Sequence, residues 1–581
     1  MPSNMNTINQ PQQWEASAFT ICRWTKRVSL LAYLVGLILF SGLGNAQEIS
    51  VSAFGARPNE DSDSTAAIQA ALNYCSVSQI HVLKFEPGVY NLSAAPRIRQ
   101  ALMLQGANGL VLQGNSTVFR MNTWATVILI EKCSDIVLSG ISFDWTPLPF
   151  AEVQIKSFSN EGTVLEILGG TMPTAQINLV SSMFQYDVVA GRPAAEGLDW
   201  YSGSAPVRIT PLSEDTALLP TSVHLSKLPI GTAFVVRYQT YGADAILAIT
   251  CEGITIKNVS VYSAPGMAAA FEDCNSVTVS HLAVDVPTNS GRWISTCADA
   301  LHFTLCRGGI DINNSTLRKM GDDAINVSGL VMTDTAGGDS HTVRLRHGAG
   351  QGLPPMKIGD KLEFASRNSP YSVAFSAIVR SCPGSGLLQQ ISSTLDSDIP
   401  SSLRNGAVVI DSSAAPAVSV VGCVIGNNRA RGLWIETSNV YVYNCVVSGC
   451  SGPAAELRCD VNKWWEGPGP SNVAFNTCTF QACNYGAAKN MAVVDSYALN
   501  SNGVASSESI INNITFKYCN FPDSTAAMAF LSTGKVWVEW CKFPAALHSI
   551  APILVAPAVE LMSFENIVPE GVMVYEAFPK S

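Results

Sequence analysis

The sequence predicts an all-β protein built as a parallel β-helix, a coil in which short strands stack rung upon rung. Strand-like segments with alternating apolar residues recur along most of the 581-residue chain. Equivalent cysteines in neighbouring segments lie 23 residues apart in the pair Cys251/Cys274 and 22 apart in the pair Cys423/Cys445. A period of this length is typical of one coil of a β-helix and not of a sandwich or a propeller.

The repeats alternate apolar with polar residues, which is the pattern of half-buried strands, and they are bounded by Asn, Ser, Gly or Asp. Nearly all of the strong helix signal is confined to residues 63–75. Because a solenoid needs a cover over its open end, this segment is predicted to be an N-terminal capping helix. The clearest strand repeats are residues 134–143, 252–262, 275–284, 439–447 and 472–480.

Two long stretches interrupt the rhythm, and they are predicted to be small inserted β domains, barrel-like in form. Each contains a similar phrase, Leu-Pro-Ile-Gly-Thr at 228–232 and Met-Lys-Ile-Gly-Asp at 356–360. The predicted organisation is a signal peptide (1–46), the N-terminal part of the β-helix (47–150), the first inserted domain (151–243), the catalytic rungs (244–328), the second inserted domain (329–411) and the C-terminal part of the β-helix (412–581).

The N-terminal segment has the features of a secretory signal. Arg23, Lys26 and Arg27 precede an apolar run at 28–40, and small residues follow up to Ala46. Cleavage is expected near Ala46, which places the mature protein outside the cytoplasm, secreted or periplasmic. The apolar run is short for a membrane span, although an uncleaved anchor is an alternative at this stage.

The net charge of −10 makes nucleic acid or an anionic membrane a poor partner. No membrane insertion is expected after signal removal. The 16 cysteines recur at fixed places in the repeats, which favours buried stacks of free thiols over a disulfide framework. No Cys/His spacing suits zinc, and neither a metal nor another cofactor is predicted.

Three aspartates form the candidate catalytic centre. Asp299 precedes Asp322 and Asp323 by 23 and 24 residues, which is one coil, so the three are expected on neighbouring rungs about 4.8 Å apart. Carboxylates this close push one another's pKa values apart, as general acid/base chemistry requires. Gly321 allows a backbone turn that lets adjacent aspartates face one site. The alternatives are an aspartate stack at the rung corners or a calcium site.

Seven further residues are candidate substrate contacts. An Arg could bind sugar hydroxyls or hold a carboxylate ionised, and a Trp could stack on a pyranose face. The competing interpretations are rung-corner ion pairs for the arginines, packing for the tryptophans and a structural role for the histidine. The candidates are His302, Asn326, Arg429, Arg431, Trp464, Trp465 and Glu466.

The chain resembles a known group of proteins at several motifs. Ser-Ala-Phe-Gly-Ala at 52–56 and Phe-Glu-Pro-Gly-Val-Tyr at 85–90 resemble the opening of the right-handed parallel β-helix proteins of the pectin-lyase-like superfamily. Six later motifs occur in the order of glycoside hydrolase family 110, and the resemblance spans most of residues 50–545. They are Asp-Trp-Thr-Pro-Leu-Pro-Phe (144–150), Tyr-Ser-Ala-Pro-Gly-Met (262–267), Ala-Asp-Ala-Leu-His (298–302), Gly-Asp-Asp-Ala-Ile-Asn-Val (321–327), Asn-Arg-Ala-Arg-Gly (428–432) and Trp-Trp-Glu (464–466).

The resemblance implies an exo-glycosidase that releases terminal α-1,3-linked galactose from glycans with inversion. It also implies that Asp299, Asp322 and Asp323 are the essential acids. One position departs from the pattern, because Ser328 stands where many relatives of this type have a histidine. A polygalacturonase should also carry Gly-His-Gly and Arg-Ile-Lys elements on the following rungs, and the sequence has neither. A polysaccharide lyase and a non-catalytic β-helix for glycan binding or adhesion remain as alternatives.

Overall fold

The computed structural model describes residues 48–576 apart from 204, 206, 336, 385–387, 488, 523–525, 545–552, 558, 566 and 568–573. The predicted signal peptide lies outside the described residues. The main body is a right-handed parallel β-helix, which confirms the predicted fold class. A single α-helix in the described part, Thr65–Val77, lies at the N-terminal end of the coil and contacts the strand Gln100–Gln105. In the described residues, no helix is long and apolar enough to cross a membrane.

Each typical coil contributes one strand to the sheet that carries the candidate site, here called the site sheet, and two strands to a larger back sheet. The site-sheet strands are Gln100–Gln105, Thr126–Glu131, Ile246–Ile249, Ala269–Glu272, Leu301–Thr304, Ile325–Asp334, Leu433–Glu436, Ala455–Asp460, Val494–Leu499, Met528–Phe530, Ile553–Val555 and Val574–Glu576. The back-sheet strands are Glu48–Ser50, Val82–Lys84, Gly88–Leu92, Val111–Met121, Ser134–Trp145, Glu252–Lys257, Ser260–Val261, Asn275–Ser280, Ala283–Val284, Arg307–Asn313, Thr316–Arg318, Ala417–Val421, Val424–Gly426, Val440–Tyr443, Val446–Ser448, Ser471–Asn476, Thr479–Gln481, Asn512–Lys517, Lys535–Glu539 and Glu560–Glu565.

Single residues with left-handed backbone geometry make the corners between strands. Asn258, Asn314 and Asn444 occupy equivalent corners with φ of 53°, 48° and 51°. Asparagine tolerates this conformation better than most residues, which explains why asparagines mark the ends of the repeats. The corner chemistry therefore connects the sequence pattern directly to the coil.

The interior of the coil is filled by residues that repeat from rung to rung. Phe271 and Phe303 stack with ring centroids 4.8 Å apart. The thiols of Cys251 and Cys274 each lie 3.4 Å from a carbonyl oxygen of the preceding rung. All 15 cysteines of the described residues are free, and all but Cys382 are buried. The predicted burial of the repeating cysteines is confirmed.

Two antiparallel units interrupt the coil. The first is an open eight-stranded sheet with Arg192–Pro193 and Thr210–Pro211 at its edges, where proline lacks the N–H that further pairing needs. The barrel-like form predicted for this stretch is therefore not observed. The main strands of the first unit are Phe150–Phe158, Gly162–Gly170, Ser182–Asp187, Asp199–Tyr201, Thr216–Pro220 and Ala233–Arg237, beside a separate pair, Leu179–Val180 and Val207–Arg208.

The second unit is a closed barrel that grows out of the site sheet. Strand Ile325–Asp334 begins as a parallel rung and continues as an antiparallel barrel strand. The other five barrel strands are Thr342–His347, Lys361–Ser366, Ser369–Ser381, Ile391–Leu395 and Val408–Asp411. The short strand Glu466–Gly467 pairs with the middle of Ile325–Asp334 and brings a C-terminal loop next to the same rung. The strand thus joins the coil, the barrel and this loop at one place.

Candidate active site

The three aspartates lie in the turns that lead into two neighbouring site-sheet strands, Leu301–Thr304 and Ile325–Asp334. One carboxylate oxygen of each lies within 4.8 Å of one oxygen of the other two. All three residues are at most 5% exposed. The backbone N–H of Asp323 donates to Oδ1 of Asp299 at 3.1 Å, so the two turns are hydrogen-bonded to each other. The coil thus brings together the residues that the spacing predicted to be neighbours.

The buried side chain of Asn428 and the close approach of Gly321 hold the turn that contains Asp322 and Asp323. The amide of Asn428 donates to the carbonyl oxygens of Asp322 and Arg431, each at 2.8 Å. A Cβ on Gly321 would lie 2.5 Å from the carbonyl oxygen of Cys297, so only glycine fits this close approach. The turn geometry allows both adjacent aspartates to face the same site, which a regular strand would prevent.

Asp322 is the aspartate with the strongest cationic contacts. Nη1 of Arg429 donates to Oδ1 of Asp322 at 2.9 Å, and the hydroxyl of Tyr241 donates to Oδ2 at 2.6 Å. Burial alone would raise the pKa of Asp322. The charges of Arg429, Arg431 and Arg237, together with the Tyr241 hydrogen bond, outweigh burial and lower the pKa below its ordinary value. Asp322 therefore carries a negative charge at neutral pH.

The pKa values of Asp323 and Asp299 are raised, in contrast to that of Asp322. Burial raises the pKa of Asp323 well above its ordinary value, the Arg431 charge lowers it, and the charges of Asp322 and Asp299 raise it further. Burial also raises the pKa of Asp299, against the hydrogen bond from His302. Three carboxylates at this distance share fewer than three charges. The cluster can thus supply a proton and a negative charge within one site.

His302 connects the aspartates to the wall of the site sheet. Its Nδ1 lies 2.9 Å from Oδ2 of Asp299. Burial lowers the pKa of His302, but the Asp299 hydrogen bond and the charges of Asp299, Glu466 and Glu272 raise it to about 8. His302 is therefore a cation at neutral pH. Its register neighbour on the next rung is Asn326, whose buried Oδ1 has no hydrogen-bond partner among the described residues.

The two arginines each bridge a cluster aspartate to a second acid. Arg429 donates from Nε to Oδ2 of Asp199, at 2.8 Å, and Asp199 belongs to the first inserted unit. Arg431 donates its backbone N–H to Oδ1 of Asp323 at 2.7 Å and its Nε to Glu456 at 3.1 Å. Both guanidinium groups contact carboxylates. Their main role in the site is therefore to position Asp322 and Asp323 and to lower the pKa values of these two aspartates.

The loop with Trp464, Trp465 and Glu466 is tied to a buried carboxylate. Oδ1 of Asp460 accepts the backbone N–H groups of residues 462–465, at 2.9–3.1 Å. The ring of Trp464 lies under Nζ of Lys463, 4.8 Å from the ring centroid. The ring of Trp465 packs against Gly348 of the barrel, where a Cβ would lie 1.7 Å from the indole. In this loop, Trp465 is a packing contact, whereas Glu466 lies on the strand beside the site sheet.

Sequence reasoning missed most of the partners of the predicted residues. Tyr241, Asp199 and Arg237 come from the first inserted unit, which carries no repeat to reveal their position. A usable signal did exist in the segment Ala-Glu-Leu-Arg-Cys-Asp at 455–460, where charged residues alternate with apolar ones on a core strand. All three charged side chains of that segment are buried next to the site.

The carboxylate triad also has the geometry of a cation site. The chemistry of its surroundings is less suited to that role. Guanidinium nitrogens already lie 2.9 Å from Asp322 and 3.3 Å from Asp323, and a divalent ion would have to compete with these fixed positive charges. The donor set therefore fits a shared proton better than a metal ion.

Comparisons with known proteins give relatives that span most of the chain. No protein-family model matches it. It is similar to an α-1,3-galactosidase A of Bacteroides fragilis, with 23% identity over 578 residues covering 89% of this chain and 92% of the relative. An α-1,3-galactosidase B of Bacteroides thetaiotaomicron is 22% identical over 502 residues, covering 77% and 78%.

Solved structures similar to this chain include two exopolygalacturonases. That of Thermotoga maritima has a TM-score of 0.41 and 10% identity, covering 90% of this chain and 91% of that protein. The family 28 enzyme of Yersinia enterocolitica has a TM-score of 0.39 and 11% identity, covering 92% and 78%.

Proposed function

We propose that this protein is an exported exo-glycosidase of glycoside hydrolase family 110, which hydrolyses terminal α-1,3-linked galactose from glycans. The observation that carries the proposal is the buried triad of Asp299, Asp322 and Asp323, with one oxygen of each within 4.8 Å of the others. The ordered motifs and the α-1,3-galactosidase names of the relatives support the substrate.

The reaction needs one proton and one negative charge on opposite sides of the scissile bond. A carboxylic acid gives its proton to the glycosidic oxygen as the bond to the anomeric carbon breaks. An ionised carboxylate takes a proton from the water whose oxygen attacks that carbon. Asp322, with its lowered pKa, and Asp323 and Asp299, with raised pKa values, are a set from which both roles can be filled.

Inversion is proposed from the family resemblance, with retention as the competing stereochemistry. Inverting enzymes usually separate their two carboxyl groups by about 6.5–9.5 Å to admit water, and retaining enzymes by about 5–5.5 Å. The nearest oxygens of the triad lie within 4.8 Å. Retention through a covalent aspartyl intermediate is the second candidate mechanism, and the anomeric form of the first product distinguishes the two.

Substrate contacts are proposed on the wall beside the triad. His302 offers a cation, Asn326 an amide oxygen that has no partner within the described part of the chain, and Glu466 a carboxyl group, all of which suit the hydroxyls of a sugar ring. Trp464 is the aromatic side chain of the nearby loop that is available for stacking on a pyranose. Arg429 and Arg431 act through the aspartates that they contact.

Hydrolysis assays with and without a chelator test the proposal against its alternatives. We expect the mature protein to release galactose from α-1,3-galactosides, to leave β-galactosides intact and to keep its activity in chelator. Unsaturated products that absorb in the ultraviolet, together with loss of activity in chelator, would indicate a lyase. Glycan binding without hydrolysis would support the non-catalytic alternative.

Export is proposed from the N-terminal segment alone. Expression of the full-length chain in a host with a secretion pathway should give a product whose N-terminus, determined by mass spectrometry, begins close to Gln47. A product that retains residues 1–46 and sediments with membranes would support the uncleaved anchor.

A further inference from the structure

Glu436 is a buried carboxyl group next to the candidate site for which neither the repeat nor the mechanism gives a reason. Its side chain is fully buried, and neither oxygen accepts a hydrogen bond from a donor group of the described residues. It ends the strand Leu433–Glu436, where its register neighbour is Ser328. The Ser328 hydroxyl is also buried and without a partner in the described structure. A fully buried carboxyl that accepts no hydrogen bond is costly to a fold.

The position of Glu466 gives a reason for the buried carboxyl group of Glu436. Glu466 is the register neighbour of Leu330, two residues beyond Ser328 on the same strand, so both glutamates flank one short segment of the site sheet. Two carboxylates offer no donor to each other, but a carboxylic acid can donate its O–H to a carboxylate. Burial and the charge of Asp460 raise the pKa of Glu466 above its ordinary value, whereas the charge of His302 and the nearby carboxyl group of Glu436 lower it by less.

We propose that Glu436 is a positioning residue, whose carboxylic acid donates a hydrogen bond to Glu466 and holds the Glu466 carboxylate toward His302 and the sugar. Glu466 then accepts hydrogen bonds from hydroxyls of a neutral glycan. The proposal rests on the proposed function for the identity of the ligand, but the hydrogen bond between the two glutamates can be tested without any substrate.

The groups that face Glu436 favour its neutral form. Burial, Glu466 and Asp460 raise the pKa of Glu436 well above its ordinary value, and Trp434 and Arg458 lower it by less. The phenol of Tyr371 and the thiol of Cys459 also face it, and both have raised pKa values, so they add no charge at neutral pH. The proton on Glu436 is thus available for donation over the neutral range.

A raised pKa has a consequence for stability. The unfolded chain loses the Glu436 proton near the ordinary carboxyl pKa, whereas the folded chain keeps it. Folding is therefore penalised increasingly as the pH rises from that value toward the pKa in the folded state. Replacing Glu436 by an uncharged residue of similar size removes this penalty. A residue with a positioning role is expected to lower the stability of the fold while it improves the function of the site beside it.

The test compares Glu436→Leu with Glu436→Gln, and with Asp411→Asn as a matched control. Gln keeps a donor toward Glu466, whereas Leu keeps only the volume. Asp411 is a buried carboxyl whose pKa burial raises to about 7, but it lies at the base of the barrel on Arg307. We expect Glu436→Leu to melt no lower than the wild type, with KM for a neutral α-galactoside raised at least about tenfold and kcat changed less than about threefold. Glu436→Gln and Asp411→Asn should keep the wild-type KM.

A substrate-free measurement completes the test. Carbon NMR of glutamate-labelled protein, with Glu466→Gln to assign the Glu466 signal, follows the titration of the Glu466 carboxyl. Its titration should move to higher pH in Glu436→Leu, because the donor is lost, and stay in place in Glu436→Gln. An unmoved Glu466 titration, or an unchanged KM in Glu436→Leu, overturns the proposal. Absence of hydrolysis by the wild type, with the expected shift of Glu466, contradicts the proposed function and leaves the positioning role intact.

Discussion

Arg429 provides the most informative perturbation, because it is the contact between the inserted sheet and the aspartate triad. Its guanidinium lies 2.9 Å from Asp322 and 2.7 Å from Asp199, and these three side chains are 14%, 8% and 12% exposed. In Arg429→Leu both carboxylates remain buried without their partner. Removing one member of a buried ion pair costs about 3–5 kcal/mol, much of it from the charge left behind.

The assay has two readouts, the free energy of unfolding in urea and the pH dependence of kcat/KM. Arg429 lowers the pKa of Asp322, so the pair stabilises the fold above the ordinary carboxyl pKa and loses this effect as the pH falls through the lowered value. The stability difference between Arg429→Leu and the wild type should therefore shrink in acid. The acidic limb of the pH–rate profile should move to higher pH, because Asp322 in the variant ionises less readily.

A surface pair supplies the control for this prediction. Arg380 lies 3.3 Å from Asp396, and its side chain is 62% exposed. Exposed pairs contribute only about 0–1 kcal/mol, so Arg380→Leu should change neither stability nor the pH profile appreciably. Equal stability losses in the two variants, or an acidic limb that does not move in Arg429→Leu, would refute the charge assignment of Asp322.

Three further predictions concern the triad and the core. Asp322→Asn and Asp323→Asn should each lower kcat by ~10²–10⁴-fold, from the proton-transfer contribution alone, with circular dichroism unchanged; activity within tenfold of the wild type would remove the residue from the mechanism. Tyr241→Phe deletes the hydroxyl that donates to Asp322 at 2.6 Å, so the acidic limb of the pH–rate profile should move upward, and a downward movement would contradict the account. Phe303→Ala removes a fully buried ring that stacks on Phe271 at 4.8 Å, and urea unfolding should show a loss of about 3–5 kcal/mol; a loss below about 1 kcal/mol would argue against a packed interior at this rung.

The coil could be predicted from the sequence because each rung repeats the same local chemistry. The length of one coil can be read from the spacing of the asparagine corners, the alternating apolar residues and the recurring cysteines. The same period placed Asp299 next to Asp322 and Asp323 without any knowledge of contacts. The spacing along the chain therefore sufficed to predict the carboxylate cluster, because one repeat places these residues on adjacent rungs.

The surroundings of the triad could not be predicted in this way. Asp199 and Tyr241 reach the site from an inserted sheet that has no repeat, and their contacts span 230 residues to Arg429 and 81 residues to Asp322. The predicted role of Trp465 as a stacking platform also depended on the unknown position of the barrel, against which its ring packs. Glu436 lies in register with Ser328, which becomes informative only when the strand pairing is known.

The most direct test of the central claim is time-resolved proton NMR of an α-1,3-linked galactoside incubated with the mature protein, beside the Asp322→Asn variant. We expect free galactose from the wild type, first as the β-anomer, and at least about a hundredfold slower release from the variant. The α-anomer as first product would contradict inversion and support the retaining alternative. No galactose from the folded wild type, or equal release by the variant, would contradict catalysis by the aspartate triad.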